Sequence, residues 1–366
     1  LILGTLSFWL REAGIDRSTI GYLTWVGLIY AFKWMWAPLV DRLSIPLLSR
    51  FFGRRRSWLL FAQLLIVLGL VGMASIDPKV QLTPIVWCAL LVAFGSATQD
   101  IALDAFRIES ADSDHQAALA ATYQTGYRLA LIWSGAGVLW LAARAESGAT
   151  GYDPAAWQFA YLCMALSIGV GVVTTLFSKE PVRIELAKAR NAKAWLYQTV
   201  IEPFADFIKR YGWHAILILS LIAIYRISDV VMGIMANPFY VDMGYTKDEV
   251  AAVSKVFGVV MTLVGAFLGG VLTLRYGVMR ILFLGAILSA VSNLLFAWLA
   301  TQGHDLHGLI WVISADNLSS GIATAAFIAF LSALTNIQYS ATQYALFSSM
   351  MLLLPKWLAG FSGVFV

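Results

Sequence analysis

Charge is scarce in this sequence. Only 13% of its 366 residues are Asp, Glu, Lys or Arg, against about 25% in a soluble globular chain. Too few polar groups remain to face water, since 60% of the residues are hydrophobic and the mean hydropathy is +0.76. The composition is that of an integral membrane protein. Cysteine is nearly absent. Cys88 and Cys163 both fall in apolar runs, which argues against a disulfide framework or zinc site and leaves them as small core hydrophobes. The chain has no His-Glu-x-x-His stretch and no Gly-x-x-x-x-Gly-Lys-Ser/Thr loop. Neither zinc hydrolysis nor direct ATP drive is therefore expected, and no cofactor or metal is implied. The net charge of +4 is small and its basic residues cluster between apolar runs, which speaks against a nucleic-acid face. The given sequence opens at Leu1, no signal-peptide pattern is visible in it, and both ends lie within apolar runs. The chain is expected to be truncated in a first and an eleventh helix, with a twelfth missing.

What is present is a series of apolar runs, each near the ~20 residues a bilayer crossing needs. After the tail of a helix over residues 1–10, spans are expected at roughly 19–40, 58–76, 82–106, 118–141 and 157–177. A polar linker over 178–213 follows, partly an amphipathic helix on the inner membrane surface. Spans then resume at roughly 214–237, 248–274, 280–301, 309–336 and 342 onward. This gives an N-terminal six-helix bundle (1–177), the linker, and a C-terminal bundle (214–366) with five spans present. One set of loops carries fifteen basic residues, among them Arg54, Arg55, Arg56, Lys193 and Arg210, and the other only Arg11, Arg17, Lys79, Arg144 and Lys247. The positive-inside rule puts the first set, including the linker, in the cytoplasm.

Several ionisable or amide side chains interrupt these runs, each charge costing about 2.5–3.5 kcal/mol at a helix centre on insertion scales. Asp100, Asp104 and Arg107 share one stripe of the fourth span, because residues three and four apart stack on a helix face. Arg128 lies midway along the fifth span with Gln124 and Tyr127. Arg226 and Asp229 can neutralise each other in the seventh. Lys33 sits among Tyr30, Trp34 and Trp36, and Lys255, Asp316, Asn317 and Lys356 complete the set. Two buried aspartates could serve an intramembrane aspartyl protease, but that chemistry takes one carboxylate from each of two facing helices. Asp100 and Asp104 share one helix, so an enzyme is not expected.

The loop after the second span reads Ala37-Pro38-Leu39-Val40-Asp41-Arg42, then Gly53-Arg54-Arg55-Arg56. This resembles the cytoplasmic signature of the major facilitator superfamily, with ten residues, Leu43 to Phe52, between its halves. Gly269-Gly270 to Arg280 is a weaker echo, as a parallel repeat implies. Gln99-Asp100 with Asp104, Tyr225-Arg226 with Asp229, and Ser340-Ala341-Thr342-Gln343 look like the AmpG-type muropeptide permeases, and the resemblance runs along essentially the whole chain.

The resemblance implies an all-α membrane protein with the major facilitator fold, two six-helix bundles related by pseudo-twofold symmetry. It also implies proton-coupled import of N-acetylglucosaminyl-1,6-anhydro-N-acetylmuramyl peptides across the bacterial inner membrane. The alternative is acetyl-CoA or another small anionic solute. The partners are then the muropeptide, protons and the lipid bilayer, and a monomer is expected. Proton coupling calls for a carboxylate whose ionisation responds to burial and to a nearby cation: Asp100, Asp104 or Asp229. Sugar hydroxyls and peptide carboxylates call for amides, aromatic faces and cations: Gln124, Tyr127, Arg128, Arg226, Asn317, Tyr30 and Lys33. Asp41, Arg42, Arg54, Arg55 and Arg56 are expected to gate the inner side, with Asp104 engaging that Arg-rich loop. Purely structural ion pairing for Asp104, Arg107, Arg226 and Asp229, and snorkelling for Lys33, remain open readings of the same residues.

Overall fold

The computed structural model describes residues 5–16, 19–20, 23–112, 115–146, 152–182, 191–229, 239–240, 243–245, 249, 253–254 and 257–359. Among these the chain is helical, without strands. Among the described residues six helices are long and apolar enough to cross a membrane: Arg54–Ala74, Leu82–Glu109, Pro154–Phe177, Gly258–Tyr276, Val278–Gln302 and Leu306–Leu334. Their outward faces carry bare apolar side chains such as Leu68, Val170, Phe283 and Trp311. In water such faces would cost about 25 cal/mol per Å2, a penalty that lipid removes.

Two expected spans are not regular helices. The second is assembled from 3-10 turns at Thr24–Leu28 and Lys33–Met35 and short α segments at Ile29–Phe32 and Ala37–Arg42. Pro38 sits at the start of the last segment, where its missing N–H costs nothing. The wide-narrow alternation places Lys33 on a tight turn, the kind of local departure associated with hinges or strain. The fifth runs from Gln116 to Ala145 but contains a π turn at Trp133–Gly137, spanning Gly135 and Gly137. The fourth extends to Glu109, three residues beyond its expected end. In the linker the chain is helical over Ala192–Leu196, Tyr197–Ile201 and Glu202–Tyr211, then turns by 106° into the helix beginning at His214. Residues 230–237 of the expected seventh span, Lys255 and the side chain of Lys356 lie outside the described residues.

The chain forms two compact units. One comprises Leu1–Ser110, Leu129–Phe204 and Ile337–Ser349; the other comprises Ala111–Arg128, Ala205–Asn336 and Met350–Val366. The first has an aromatic core at one end, where Trp9 stacks on Trp157 at 5.7 Å and both meet Tyr161. Its indole N–H groups are satisfied: Trp157 Nε1 donates to Glu12 and Trp9 Nε1 to Tyr152, whose hydroxyl donates to Asp77, whereas the buried Tyr161 hydroxyl has no hydrogen-bond partner among the described residues. Burial pushes the Tyr152 phenol well above its ordinary value, so it remains a donor. At the opposite end Ala37, Val40, Leu59, Ile101, Ala102, Ala105, Ala341 and Ala345 pack together. The second unit is held by backbone-to-backbone approach. A Cβ on Gly265 would strike the backbone of Leu318, one on Gly269 that of Ile322, and one on Gly321 that of Ala266. Small residues spaced by four let membrane helices come this close, and dispersion across the seam replaces the hydrophobic driving force absent in lipid.

Candidate functional site

Three polar clusters interrupt the apolar packing. The first lies in the first unit, at the end away from the aromatic core, and centres on Arg55, only 1% exposed. Its Nη2 donates to Asp41 Oδ1 at 2.8 Å and to Ser340 Oγ at 2.8 Å, its Nη1 to the Val40 carbonyl at 3.0 Å, and its Nε to Glu109 Oε2 at 3.0 Å. Asp41 in turn accepts from the backbone N–H groups of Ala341 (3.1 Å) and Thr342 (2.8 Å) and from the Thr342 hydroxyl (2.7 Å). It therefore caps the Ser340–Ala359 helix from a distant part of the chain, where a carboxylate also meets the positive end of the helix dipole. Arg54 binds the Asp41 carbonyl and lies 3.6 Å from Glu109. Arg42 reaches Glu202 at 3.3 Å and the Gln198 carbonyl at 3.0 Å.

Arg56 takes part in a reciprocal exchange. Its side chain donates to the last carbonyls of the Pro154–Phe177 helix, Thr175 and Leu176, while Glu180 accepts from the backbone N–H groups of Arg55 and Arg56. Each helix end thus receives the charge its dipole favours.

The structure corrects one expectation here. Glu109, not Asp104, meets the Arg-rich loop. The helix runs three residues past its expected end, which carries Glu109 to Arg54 and Arg55 and leaves Asp104 a turn deeper, 3.7 Å from Arg107.

The second cluster holds Lys33, Asp100, Asp104 and Arg107. Lys33 Nζ is 4.0 Å from Asp100 Oδ2, with the two side chains 7% and 35% exposed. Lys33 acts electrostatically on Asp104 as well. It is directed inward and buried, so it does not snorkel. Arg107 lies over the Tyr344 ring at 5.2 Å. Tyr30 is half-buried one turn before Lys33. Gln99, beside Asp100, has a buried Oε1 with no hydrogen-bond donor among the described residues, leaving an acceptor free for a hydroxyl or amide.

The third cluster belongs to the second unit. Arg226 donates to Thr324 Oγ1 at 2.7 Å and lies 3.5 Å from Asp229, whose other oxygen accepts from Ser289 at 2.8 Å. Ser292 Oγ lies 3.1 Å from Asp316, and Thr262 donates to Asn317 at 2.9 Å. Tyr225 stacks on Phe327 at 4.7 Å and donates to the Leu282 carbonyl, which orients the turn carrying Arg226. Gln124 and Arg128 are half-buried and Tyr127 is exposed. Among the described residues Arg128 has no ion-pair partner, and its electrostatic neighbours are Tyr127 and Arg226. Sequence reasoning placed neither Glu109 nor Asp316 in a site. For both, the signal was a carboxylate on an apolar helix; the contacts that give each its setting are remote in the chain.

Long apolar helices with paired charges inside them define a polytopic membrane transporter. The pattern of the Major Facilitator Superfamily matches residues 1–355, and the chain belongs to that family. It is 37% identical over 351 residues to the putative transporter AmpG 4 of Rickettsia felis, covering 95% of this chain and 82% of that one. It is 36% identical over 352 residues to the anhydromuropeptide permease of Escherichia coli K12, covering 96% of this chain and 67% of the permease. Among solved structures, FucP in its outward conformation superposes with a TM-score of 0.70 at 13% identity, covering 98% of this chain and 86% of FucP. The proton:xylose symporter XylE does so at 0.62 and 15%, covering 98% and 81%. The superpositions establish the major facilitator fold expected from the sequence. The relatives are transporters, not enzymes.

Proposed function

We propose that this protein imports N-acetylglucosaminyl-1,6-anhydro-N-acetylmuramyl peptides across the bacterial inner membrane for cell-wall recycling, driven by protons. In this reading bundles 1–177 and 214–366 alternate access to a central cavity, the linker 178–213 lies in the cytoplasm, and the monomer suffices. Support for the cargo comes from the resemblance to the anhydromuropeptide permease over 96% of the chain. The observation that carries its anionic character is Arg128, a half-buried guanidinium with no ion-pair partner among the described residues, close to the further cation Arg226. An unmatched cation in a membrane helix is costly, and a peptide carboxylate would offset it with paired N–H···O bonds. Gln124, Tyr127, Asn317 and Tyr30 would meet sugar hydroxyls and acetamides.

Asp100 beside Lys33 supplies the coupling pair, since a carboxylate with one movable cation changes its proton affinity when that cation shifts. Asp229 beside Arg226 is the second such pair, and Asp104, held by Arg107, the third. Asp41, Arg42, Arg54, Arg55 and Arg56 would hold the inner gate.

Proteoliposomes under an inward proton gradient are expected to accumulate labelled anhydromuropeptide, and a protonophore is expected to abolish this. Uptake indifferent to the protonophore removes proton coupling. Uptake of acetyl-CoA in place of the sugar peptide selects the anionic-solute alternative.

A further inference from the structure

The ten residues between the two halves of the basic signature are a part of the first unit that its charge network leaves unused. They read Leu43-Ser44-Ile45-Pro46-Leu47-Leu48-Ser49-Arg50-Phe51-Phe52, with one cation and no acid. A connection bathed in water is usually polar, yet six of these ten side chains are hydrophobic. Their backbone is fixed. Trp58 Nε1 donates to the Leu43 carbonyl at 2.9 Å, the Leu48 N–H to the Pro46 carbonyl at 2.8 Å, and the Gly53 N–H to the Ser49 carbonyl at 3.2 Å. The middle contact closes a three-residue turn on Leu47, whose φ of 63° and ψ of −58° are those of the rare, strained γ form. Among the described residues Leu47 is the one non-glycine with positive φ. Strain of this kind persists where the surroundings over-determine it and concentrates at functional positions. Leu47 is nevertheless 76% exposed and Phe51 74%.

A second segment continues the same surface. One small cavity is lined by Ser44, Ser49 and Gly53 from the loop and by Glu180 and Pro181 from the chain after the Pro154–Phe177 span. Phe177 and Val182 are each 88% exposed, and Lys179 between them is exposed. Glu180, the one acid in the two segments, is engaged by the backbone N–H groups of Arg55 and Arg56. What remains bare is four large hydrophobes and two cations, Arg50 and Lys179. Phe177 is the last residue of its span, and a span end marks the level at which the bilayer meets water. Bare apolar side chains and cations at that level match the boundary between acyl chains and anionic headgroups.

We infer that residues 43–52 and 177–182 form a docking surface for anionic phospholipid. Leu47 and Phe51 enter the headgroup layer as far as the acyl chains, and Arg50 and Lys179 bind the lipid phosphates. The γ turn holds Leu47 out as an anchor, its strain offset by the apolar area that lipid removes from water. The anchored loop carries Ser44 and Ser49, which share the walls of the cavity with Arg54 and Glu109. Membrane composition therefore bears on the charge network of the first unit whatever solute is carried. This adds a partner to the transport reading and does not depend on it.

The test uses the full chain in nanodiscs, with Cys88 and Cys163 replaced by Ala and a polarity-sensitive fluorophore attached at Leu47→Cys. Lys79→Cys, at an exposed position between two spans, gives the aqueous reference. Brominated phosphatidylglycerol should quench the label at position 47 strongly and iodide only weakly, the reverse of the pattern at position 79. Iodide quenching at 47 equal to that at 79 overturns the inference. Brominated phosphatidylglycerol should also quench better at 47 than brominated phosphatidylcholine at the same mole fraction. An exposed cation at an anionic surface contributes about a fivefold preference, so Arg50→Gln and Lys179→Gln should each reduce the difference about fivefold. A parent without preference, or a preference untouched by removing both cations, overturns the inference as well. So does shielding from iodide that appears only with two copies per nanodisc, which would assign the face to self-association. No readout involves cargo, so failure here leaves the transport reading standing, and failure of that reading leaves the docking surface untouched.

Discussion

Arg55 is the side chain on which the end of the first unit away from the aromatic core depends, because it neutralises two buried carboxylates, Asp41 and Glu109. Removing one partner of a buried charge network costs about 3–5 kcal/mol. Arg55→Ala is therefore expected to lower the thermal midpoint in detergent sharply. Arg55→Lys should recover little, since an ammonium cannot reproduce the guanidinium fork that reaches Asp41, Glu109, Ser340 and Val40 together. At Lys33 and Asp100 the expectation is coupling without rescue of function. Lys33→Met and Asp100→Asn should each abolish gradient-driven uptake, and the double variant should be more stable than the sum of the singles, by about 0.5–3 kcal/mol in a double-mutant cycle. Additive stabilities would show that the 4.0 Å pair does not interact. The sequence exposed these residues because a charge on an apolar run stands out. It could not reveal their partners: Glu109 was overlooked because the fourth span was expected to stop at residue 106, and Asp316 stood out as a charge in a span but was given no role because Ser292, its hydrogen-bond partner, lies far from it in the chain.

The helices themselves were legible where one run of apolar residues met one polar stop, as at Arg54–Ala74 or Pro154–Phe177. They were not legible where the backbone departs from α geometry. Tryptophan, phenylalanine and glycine do not announce a 3-10 turn at Lys33–Met35 or a π turn at Trp133–Gly137, because such turns follow from tertiary packing more than from local preference. One element boundary is chemically explicit. Gly53 has φ +83°, and a Cβ there would run into the Glu180 side chain that caps the next helix. Gly53→Ala should cost about 1–3 kcal/mol through backbone strain, and Glu180→Ala about 0.5–2 kcal/mol through the lost cap. The two changes damage the same junction, so melting of the double variant should fall short of the sum.

For the whole molecule the most direct question is which side each loop faces. With Cys88 and Cys163 first replaced by Ala, Lys193→Cys should react with a membrane-impermeant maleimide only in inverted vesicles, and Glu146→Cys only in right-side-out cells. The reverse pattern would invert the orientation taken from the basic loops. The seam of the second unit bears on any survey of variants across the chain. Gly265, Gly269 and Gly321 each abut main chain, which cannot yield as a flexible side chain can. These positions should reject even alanine whatever solute is offered, drawing a band of intolerance along one face with a four-residue rhythm. A hot spot of that shape would report how tightly two staves are joined and nothing about what passes between them, and only losses that vary with the solute should be read as recognition.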